Sequence, residues 1–174
     1  MSLTKFDLFF NESTYKTLMD YIENLKKDKN TNFTTSTTFW DDYLIGNSTP
    51  IIIYQFTDTD RQMFNLLKKE IEDKIPYYVT DLKIYFWPKQ SYITWHNDGL
   101  YKGALTVYLN EKWDENWGGY FMYEDEGEIK AIKPKKNLGV YLNGGTKHCV
   151  TTVHSISDMR VSLQCFLNKE KKVL

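Results

Sequence analysis

The first half of the chain repeats apolar residues with the period of an α-helix. In residues 11–27, NESTYKTLMDYIENLKK, a start rich in Ser and Thr precedes apolar residues on one helical face: Tyr15, Leu18, Met19 and Ile22. Residues 58–76 repeat this pattern and end at Pro76. Between them, residues 50–56, PIIIYQF, are β-branched and aromatic, which predicts a buried strand. We therefore expect two packing helices with a strand between them.

From residue 82 the apolar period changes to two, which is typical of β-strands. Eight short segments of this kind follow, separated by turn sequences such as NGG and DEGE: residues 82–87, 91–98, 103–110, 118–125, 128–134, 138–143, 147–155 and 159–167. Many short strands in succession predict a sandwich or a closed jelly roll. Helices followed by strands indicate an α+β fold with the helices on one outer face.

The last of these segments predicts which of its faces is buried. Because side chains alternate along a strand, residues 160–167 divide into a polar and an apolar face. The polar face carries Arg160, Ser162 and Gln164, whereas the apolar face carries Val161, Leu163, Cys165 and Leu167. The apolar face can pack beneath the helices. The polar face is then expected to line a wet cavity inside the barrel.

Length and charge exclude several classes of protein. We interpret residues 1–174 as one domain, with a helical support region over 1–81 and the β core over 82–168. The 22 basic and 23 acidic residues nearly balance, so no strong field attracts nucleic acid or an anionic membrane. The apolar runs are too short to span a bilayer, and the start is a poor signal peptide. We expect a cytoplasmic protein without a nucleic-acid or membrane partner.

The stretch YITWHNDGLY, residues 92–101, carries the first candidate chemistry. His96 and Asp98 are two residues apart, so on a strand they share a face and can converge on one ion. His148, at the edge of a later predicted strand, is a candidate third ligand. Two imidazoles and one carboxylate on one side of a metal leave positions open, an arrangement that favours non-haem Fe(II). A lone His-x-Asp is weak evidence, since surface pairs of this kind are common.

His154 is the alternative third ligand, because it has the same strand parity as His148. We prefer His148 because it follows the NGG turn. It also leaves enough chain before Arg160 for the bend between two strands.

Arg160 makes the metal pattern more specific. Only two of the 22 basic residues are Arg, and this one lies on the polar face of its predicted strand, with Ser162 two residues further on. A planar guanidinium holds a carboxylate with two parallel hydrogen bonds, which an ammonium cannot reproduce. A salt bridge with a neighbouring acid is the competing interpretation.

Together these residues resemble a known family. His96-Asn97-Asp98, His148 and Arg160-Val161-Ser162 resemble the HxD…H…RxS signature of the Fe(II)/2-oxoglutarate-dependent oxygenases. The stretch ALTVYLNEKWDENWGGYFMYEDE is similar to the prolyl-4-hydroxylase-like branch, as is the later NLGVYLNGGTKHCVTTV. The resemblance covers about residues 82–168.

The resemblance implies a double-stranded β-helix, or jelly roll, that holds Fe(II) through His96, Asp98 and His148. It also implies that 2-oxoglutarate chelates the metal and extends its far carboxylate to Arg160, with Tyr108 and Ser162 beside it. The implied reaction consumes O₂, converts 2-oxoglutarate to succinate and CO₂, and hydroxylates a second substrate. Ascorbate is a candidate reductant. Asp98, rather than a small residue, argues for hydroxylation over halogenation.

The expected substrate is a protein or peptide residue, with proline the first candidate. A free amino acid or another small molecule is the alternative. Tyr92, on the predicted face of His96, is a candidate substrate contact, whereas Trp95 is expected to face away into the core. Trp113 and Trp117 are candidate contacts because the surrounding NEKWDENWGG is loop-like, so these rings should be exposed.

Two further functions compete with this interpretation. A nucleic-acid demethylase would use the same triad, but that branch has a second Arg where this chain has Phe166, and the charge balance lacks a phosphate-binding footprint. A non-catalytic jelly-roll metal-binding module would have no need for a buried guanidinium at Arg160. We rank both below an oxygenase.

Overall fold

Three α-helices lie in the first half of the chain: α1 (Glu12–Lys27), α2 (Asp42–Ile45) and α3 (Arg61–Lys74). We describe residues 3–170 in a computed structural model; residues 1–2 and 171–174, the ends of the predicted domain, lie outside this range. The α1 helix begins where the Asn11 side chain accepts a hydrogen bond from the Thr14 amide at 2.9 Å. A capping box between Thr57 and Asp60 precedes α3.

The described residues also contain short 3₁₀ helices and eleven strands. The 3₁₀ helices are Ser36–Thr38, Asp58–Asp60 and Glu115–Trp117. The first six strands are β1 (Leu3–Phe6), β2 (Thr34–Thr35), β3 (Ile52–Gln55), β4 (Tyr77–Trp87), β5 (Ile93–His96) and β6 (Gly103–Tyr108). The others are β7 (Phe121–Asp125), β8 (Glu128–Ile132), β9 (Gly139–Asn143), β10 (His148–Val150) and β11 (Arg160–Glu170).

The strands form two antiparallel sheets. The large sheet has the order β1-β9-β6-β11-β4-β3-β2, and the small sheet has the order β5-β10-β7-β8. The eight strands predicted from the period-two pattern correspond to β4–β11, and each sheet takes four of them. The predicted α+β jelly roll, a double-stranded β-helix, is therefore confirmed.

The helices cover the outer face of the large sheet, as the sequence predicts. Leu18 and Ile22 from α1 and Leu67 and Ile71 from α3 are fully buried in one apolar cluster with the apolar face of β11. Burying each of these side chains stabilises the folded state by about 1.5–3 kcal/mol relative to leaving the side chain exposed. This packing holds β11, and with it the polar face that points the other way.

The large sheet extends beyond what the period-two pattern predicts. The β4 strand begins at Tyr77 rather than at residue 82, and β1 pairs with β9, adding an unpredicted strand at the sheet edge. The predicted strand in PIIIYQF is β3, which pairs with β4. Part of the support region thus belongs to the sheet itself. Among residues 3–170, no helix is both long and apolar enough to cross a membrane.

Candidate active site

Strand pairing brings the two histidines together. In the antiparallel pair β5–β10, His96 and His148 are directly opposite one another, and their ring centroids are 4.2 Å apart. The His148 Nε2 atom lies 3.5 Å from Asp98 Oδ2. One ligand atom from each of the three residues lies within 4.8 Å of the others. This spacing suits three ligands that face one ion.

Asp98 reaches the site from a turn and not from a strand. The β5 strand ends at His96, and the Tyr101 amide donates to the Asp98 carbonyl at 2.8 Å to close a turn. The two side chains converge, as the His-x-Asp spacing predicts. The reason given for this prediction, that they share one face of a strand, is wrong. A Cβ on Gly144 would overlap the Tyr101 carbonyl oxygen and lie 2.8 Å from that of Asp98. The turn before β10 thus packs against the turn that carries Asp98.

Hydrogen bonds from the two imidazoles leave the same nitrogen of each ring available. The Nδ1 atom of His96 lies 2.7 Å from the Thr94 carbonyl oxygen, and that of His148 lies 3.0 Å from the Thr146 carbonyl oxygen. A carbonyl only accepts, so each Nδ1 carries the proton and each Nε2 presents a lone pair. Fixing the tautomer through the second nitrogen is typical of metal-ligating histidines.

Burial also favours the uncharged form of His148. Desolvation lowers the pKa of His148 first, and the neighbouring His96 lowers it further, against the opposing charge of Asp98. A neutral imidazole is the form that binds a metal. His154, the alternative third ligand, is exposed and lies outside this cluster.

Arg160 lies on the large sheet at another part of the same cavity. The side chain is 1 % exposed, and its guanidinium carbon lies 4.8 Å from the Trp87 ring centroid. The Nε and Nη1 atoms of Arg160 have no hydrogen-bond partner among the described residues. Burial lowers the pKa of Arg160 from its usual value. A buried cation with two unused donors is costly unless an anion pairs with it, so this residue fits a carboxylate ligand.

Tyr108 and Ser162 lie beside Arg160. The Tyr108 ring centroid is 5.1 Å from the guanidinium carbon, and its buried hydroxyl has no partner among the described residues. Ser162 accepts a hydrogen bond from Trp87 Nε1 at 3.2 Å, and the same indole ring contacts the Arg160 guanidinium. Arg160, Tyr108 and Ser162 therefore form one polar corner of the site. Ser162 is among the residues that line the cavity, and Tyr108 adjoins the cavity through its contact with Arg160. The donor set of this corner suits a carboxylate.

A cavity of about 360 Å³ joins the metal-ligand cluster to Arg160. Its wall includes His96, Asp98, His148, Arg160, Ser162 and Gln164. The polar face of β11 therefore lines the cavity, as the alternation of residues 160–167 predicts. The size lies at the lower end of the range typical of small-molecule sites.

The tryptophans of the NEKWDENWGG loop do not line this cavity. The prediction that the pair is exposed is wrong for Trp113, which is 8 % exposed and belongs to the core between the sheets. Trp113 donates from Nε1 to the Gly118 carbonyl at 2.9 Å and packs edge-on against Trp117, with ring centroids 5.2 Å apart. The pair therefore stabilises its own loop.

A bulge in β5 reverses two other predictions. His148 pairs with His96 and Val150 pairs with Ile93, so β5 has one residue more than β10 over this stretch. The strict alternation used for Tyr92 and Trp95 does not hold across the extra residue. Trp95 lines the cavity and is 41 % exposed, so its assignment to the core is wrong. Tyr92 does not line the cavity, and its hydroxyl accepts a hydrogen bond from the Asn47 amide at 3.0 Å.

The segment around α2 supplies cavity residues that the sequence analysis did not select: Trp40, Tyr43 and Leu44. Tyr92 holds this segment through Asn47, and the Thr94 hydroxyl donates to the Tyr43 carbonyl at 3.1 Å. The clustering of aromatic residues in FWDDYL was a signal in the sequence, but nothing in it connected this segment to β5. Tyr43 is 73 % exposed, which places it at the mouth.

The fold and the ligand types of the site fit an iron-dependent oxygenase, and the comparison with protein families shows the class. The sequence model of the 2OG-Fe(II) oxygenase superfamily matches residues 81–168, which is just over half of the chain. The chain belongs to this superfamily and is a 2-oxoglutarate-dependent oxygenase, an oxidoreductase. Membership implies Fe(II), 2-oxoglutarate and O₂, and the His-Asp-His cluster and Arg160 fit them. No curated protein matches the chain.

Solved structures share the fold at low sequence identity. A prolyl-4-hydroxylase from Pseudomonas putida has a TM-score of 0.74 and 13 % identity, over 97 % of this chain and 93 % of that one. A prolyl hydroxylase from Trichoplax adhaerens, in complex with a peptide of hypoxia inducible factor, has a TM-score of 0.77 and 15 % identity, over 96 % of this chain and 83 % of that one. HygX from Streptomyces hygroscopicus, with nickel and 2-oxoglutarate bound, has a TM-score of 0.69 and 8 % identity, over 97 % of this chain and 83 % of that one.

Proposed function

We propose that this oxygenase hydroxylates a prolyl residue of a protein or peptide and couples this to decarboxylation of 2-oxoglutarate to succinate. The observation that carries the proposal is one cavity lined by three different groups of residues. These are the His-Asp-His cluster, the buried Arg160 guanidinium with unpaired Nε and Nη1 atoms, and partly exposed aromatic residues at the cavity mouth. The first two groups suit the metal and the cosubstrate, which leaves the mouth for the substrate.

In this proposal His96, Asp98 and His148 hold Fe(II), and Arg160 holds the far carboxylate of 2-oxoglutarate. The bound metal supplies the oxidative chemistry on O₂. The chain supplies geometry: the imidazole tautomers are fixed by backbone carbonyls, and the guanidinium is held against Trp87. Tyr108 and Ser162 complete the carboxylate corner as donors. Ascorbate is the reductant that we expect to maintain the ferrous state, in the cytoplasm.

The mouth supports a substrate with an apolar ring. Trp95 adjoins the metal ligand His96 and keeps about two fifths of its surface exposed, and Tyr43 lies across the opening on the α2 segment. Partly exposed aromatic side chains beside a reactive centre provide flat apolar surface for a ring to pack on. The fold is shared with two prolyl hydroxylases, one of them in complex with a peptide. These observations together favour proline over a charged side chain.

The test is mass spectrometry of proline-containing peptides incubated with the protein, Fe(II), 2-oxoglutarate and O₂. We expect the gain of one oxygen on proline, together with one succinate for each hydroxylation. Trp95→Ala should raise the KM for the peptide about tenfold or more, because truncating an aromatic contact in a binding site costs more than about 1 kcal/mol. Trp117→Ala is the matched control outside the cavity. Equal KM values for the two variants would remove the mouth from the proposal.

Hydroxylation of a free amino acid or another small molecule is the second candidate. The volume of about 360 Å³ supports it, because the cosubstrate and a small second substrate would fill most of that space. The same incubation with a mixture of free amino acids separates the two. Oxygen gain on free proline but on no peptide would favour the small-molecule function.

A further inference from the structure

Gln164 is a cavity residue to which none of the roles above is assigned. It lies on the polar face of β11 and lines the cavity. The Thr106 hydroxyl, on the neighbouring strand β6, donates to its Oε1 atom at 2.7 Å. This bond fixes the orientation of the amide, and among the described residues no group accepts a hydrogen bond from its Nε2 atom. Two oriented N–H donors are therefore available to a molecule that enters the cavity.

Gln164 lies on the metal-ligand side of the cavity. It is four positions from Arg160 on the same face of β11, which separates the two backbones by about 13 Å. Two positions further on, the Phe166 ring packs against Tyr101, with centroids 4.4 Å apart. Tyr101 closes the turn that carries Asp98. Gln164 is thus closer to this turn than to the corner that suits the far carboxylate of the cosubstrate.

Gln164 also adjoins the mouth of the cavity. It pairs with Lys83 of β4, and residues directly opposite in paired strands share a face. The Lys83 Nζ atom lies 5.0 Å from the Phe39 ring centroid, and Phe39 directly precedes Trp40, which lines the cavity. Gln164 therefore lies on the large-sheet side of the opening, where a substrate passes on its way to the metal ligands.

The charges near Gln164 favour a neutral acceptor over a carboxylate. The ammonium of Lys83 lies 3.0 Å from the Asp81 carboxylate and is paired with it. Arg160 is assigned to the cosubstrate, and Asp98 adds negative charge on the metal-ligand side. Neither cation is therefore available to a carboxylate beside Gln164, and burying an unpaired charge is costly. A peptide carbonyl needs only the neutral N–H donor that Gln164 provides.

We propose that Gln164 Nε2 donates a hydrogen bond to the backbone carbonyl oxygen of the substrate residue that is hydroxylated. A residue whose side chain reaches the metal ligands has its backbone at the mouth, beside this amide. Gln164 is then a specificity residue that favours a peptide, with a neutral carbonyl, over a free amino acid, with a charged carboxylate. Thr106 is a positioning residue for the amide. The inference rests on the proposed hydroxylation of a peptide residue.

The test is a kinetic comparison on an acetylated and amidated proline peptide that the wild-type protein hydroxylates, and on the same peptide with a thioamide at the proline carbonyl. Gln164→Met should raise the KM for the normal peptide about 3- to 10-fold, the range for one lost hydrogen bond between neutral groups. Sulfur is a weak acceptor, so the thioamide should raise the wild-type KM similarly but should not raise that of Gln164→Met further. Gln62→Met, at an exposed position on α3, is the matched control and should behave as wild type.

A second variant keeps the local structure intact. Gln164→Glu preserves the side-chain size and the bond from Thr106, but it places an oxygen that cannot donate where Nε2 was. It should raise the peptide KM about tenfold or more, because two acceptors then face each other. Thr106→Val should have a smaller effect than Gln164→Met, since the donor remains. For Gln164→Met, the Fe(II) affinity and the KM for 2-oxoglutarate should stay at the wild-type values.

The outcomes separate this inference from the function on which it rests. An unchanged peptide KM in both Gln164 variants would overturn the inference alone. Independent effects of Gln164→Met and the thioamide would also overturn it, because no bond would then join the two groups. So would a parallel loss of Fe(II) or 2-oxoglutarate affinity in Gln164→Met, since the amide would then act on the metal ligands or the cosubstrate. Oxygen gain on free proline but on no peptide would overturn the proposed function, and this inference with it.

Discussion

The two sheets of the barrel contribute different parts of the site and are built differently. The large sheet supplies Arg160 from β11, and β11 and its neighbour β4 each have eleven residues, with helices packed on their outer face. The small sheet supplies both histidines from β5 and β10, which have four and three residues. Its edge strand β8 is mostly exposed.

This difference assigns a different source of rigidity to each half of the site. The guanidinium lies on long strands backed by a buried core, so we expect the backbone that carries it to be fixed without a ligand. The metal ligands lie on short strands and a turn, where fewer buried contacts fix the backbone. We call the His96–Asp98–His148 cluster the iron end of the site and Arg160 its anchor end. We therefore expect the iron end to depend on bound metal for part of its order, and the anchor end to be preformed. Four experiments test this comparison.

The largest effect is expected at the iron end. Asp98→Ala should abolish Fe(II) binding and succinate formation, because two histidines alone leave the metal with too few protein ligands. The fold should survive, since Asp98 lies in a turn outside the cores. Metal titration and a succinate assay measure this. His154→Ala is the control and should behave as wild type; loss of iron binding there would reverse the choice of third ligand.

The second effect belongs to the anchor end. Arg160→Lys should raise the KM for 2-oxoglutarate about 10- to 100-fold, because an ammonium replaces a planar fork with a point charge. Fe(II) affinity should not change, since the two ends are on different sheets. Arg61→Lys, at an exposed position at the start of α3, is the matched control. If iron affinity fell together with cosubstrate affinity, the two ends would not be independent.

A third, smaller effect tests how the turns hold Asp98. Gly144→Ala should weaken Fe(II) binding by about tenfold, the low end of the range for residues that support metal ligands. The reason is that the added Cβ would displace the turn from Asp98 to Tyr101. In the control Gly145→Ala the Cβ would meet nothing within 4 Å. The Fe(II) affinities of the two variants are measured by metal titration below their melting temperatures. Equal Fe(II) affinities would contradict the role of Gly144 in positioning Asp98.

The smallest effect is a shift in stability on metal binding. Fe(II) at 100 times its Kd stabilises the folded state by about 2.7 kcal/mol, which corresponds to roughly 5–10 °C in melting temperature for a chain of this size. Without Fe(II), hydrogen exchange should be faster in β5 and β10 than in the centre of β4 and β11. Added Fe(II) should slow exchange in both sheets, because every opening that releases the metal loses this stabilisation. Equal exchange rates in the two sheets of the metal-free protein would remove the distinction between them. Asp98→Ala should show no shift.

Sequence periodicity succeeded where the strands are regular. Arg160, Ser162 and Gln164 line the cavity because β11 pairs with β6 and β4 without irregularity from residue 160 to 166. It failed in β5, where one extra residue breaks the alternation, so Trp95 lines the cavity and Tyr92 does not. A bulge depends on the partner strand, and single-strand parity contains no information about that partner.

Loop character was a poor guide to exposure. Trp113 lies between two strands in a polar sequence, yet it is buried in the core, because the loop folds back and donates its indole N–H to Gly118. The aromatic residues at the mouth come instead from β5, which carries Trp95, and from the α2 segment, which approaches β5 only in the folded chain. Both outcomes follow from long-range packing, which outweighs local composition.

The amino-acid sequence by itself determined the order of the two long helices and the eight core strands, the polar and apolar faces of β11, and the ligand types that suit iron and a diacid. These follow from local periodicity and side-chain chemistry, which neighbouring residues already contain. The tertiary structure alone decided that His148 rather than His154 faces His96, that a turn carries Asp98, and that Trp95 and Tyr43 form the mouth. Each of these depends on which distant backbone groups hydrogen-bond to each other, and strand register is a property of the pair.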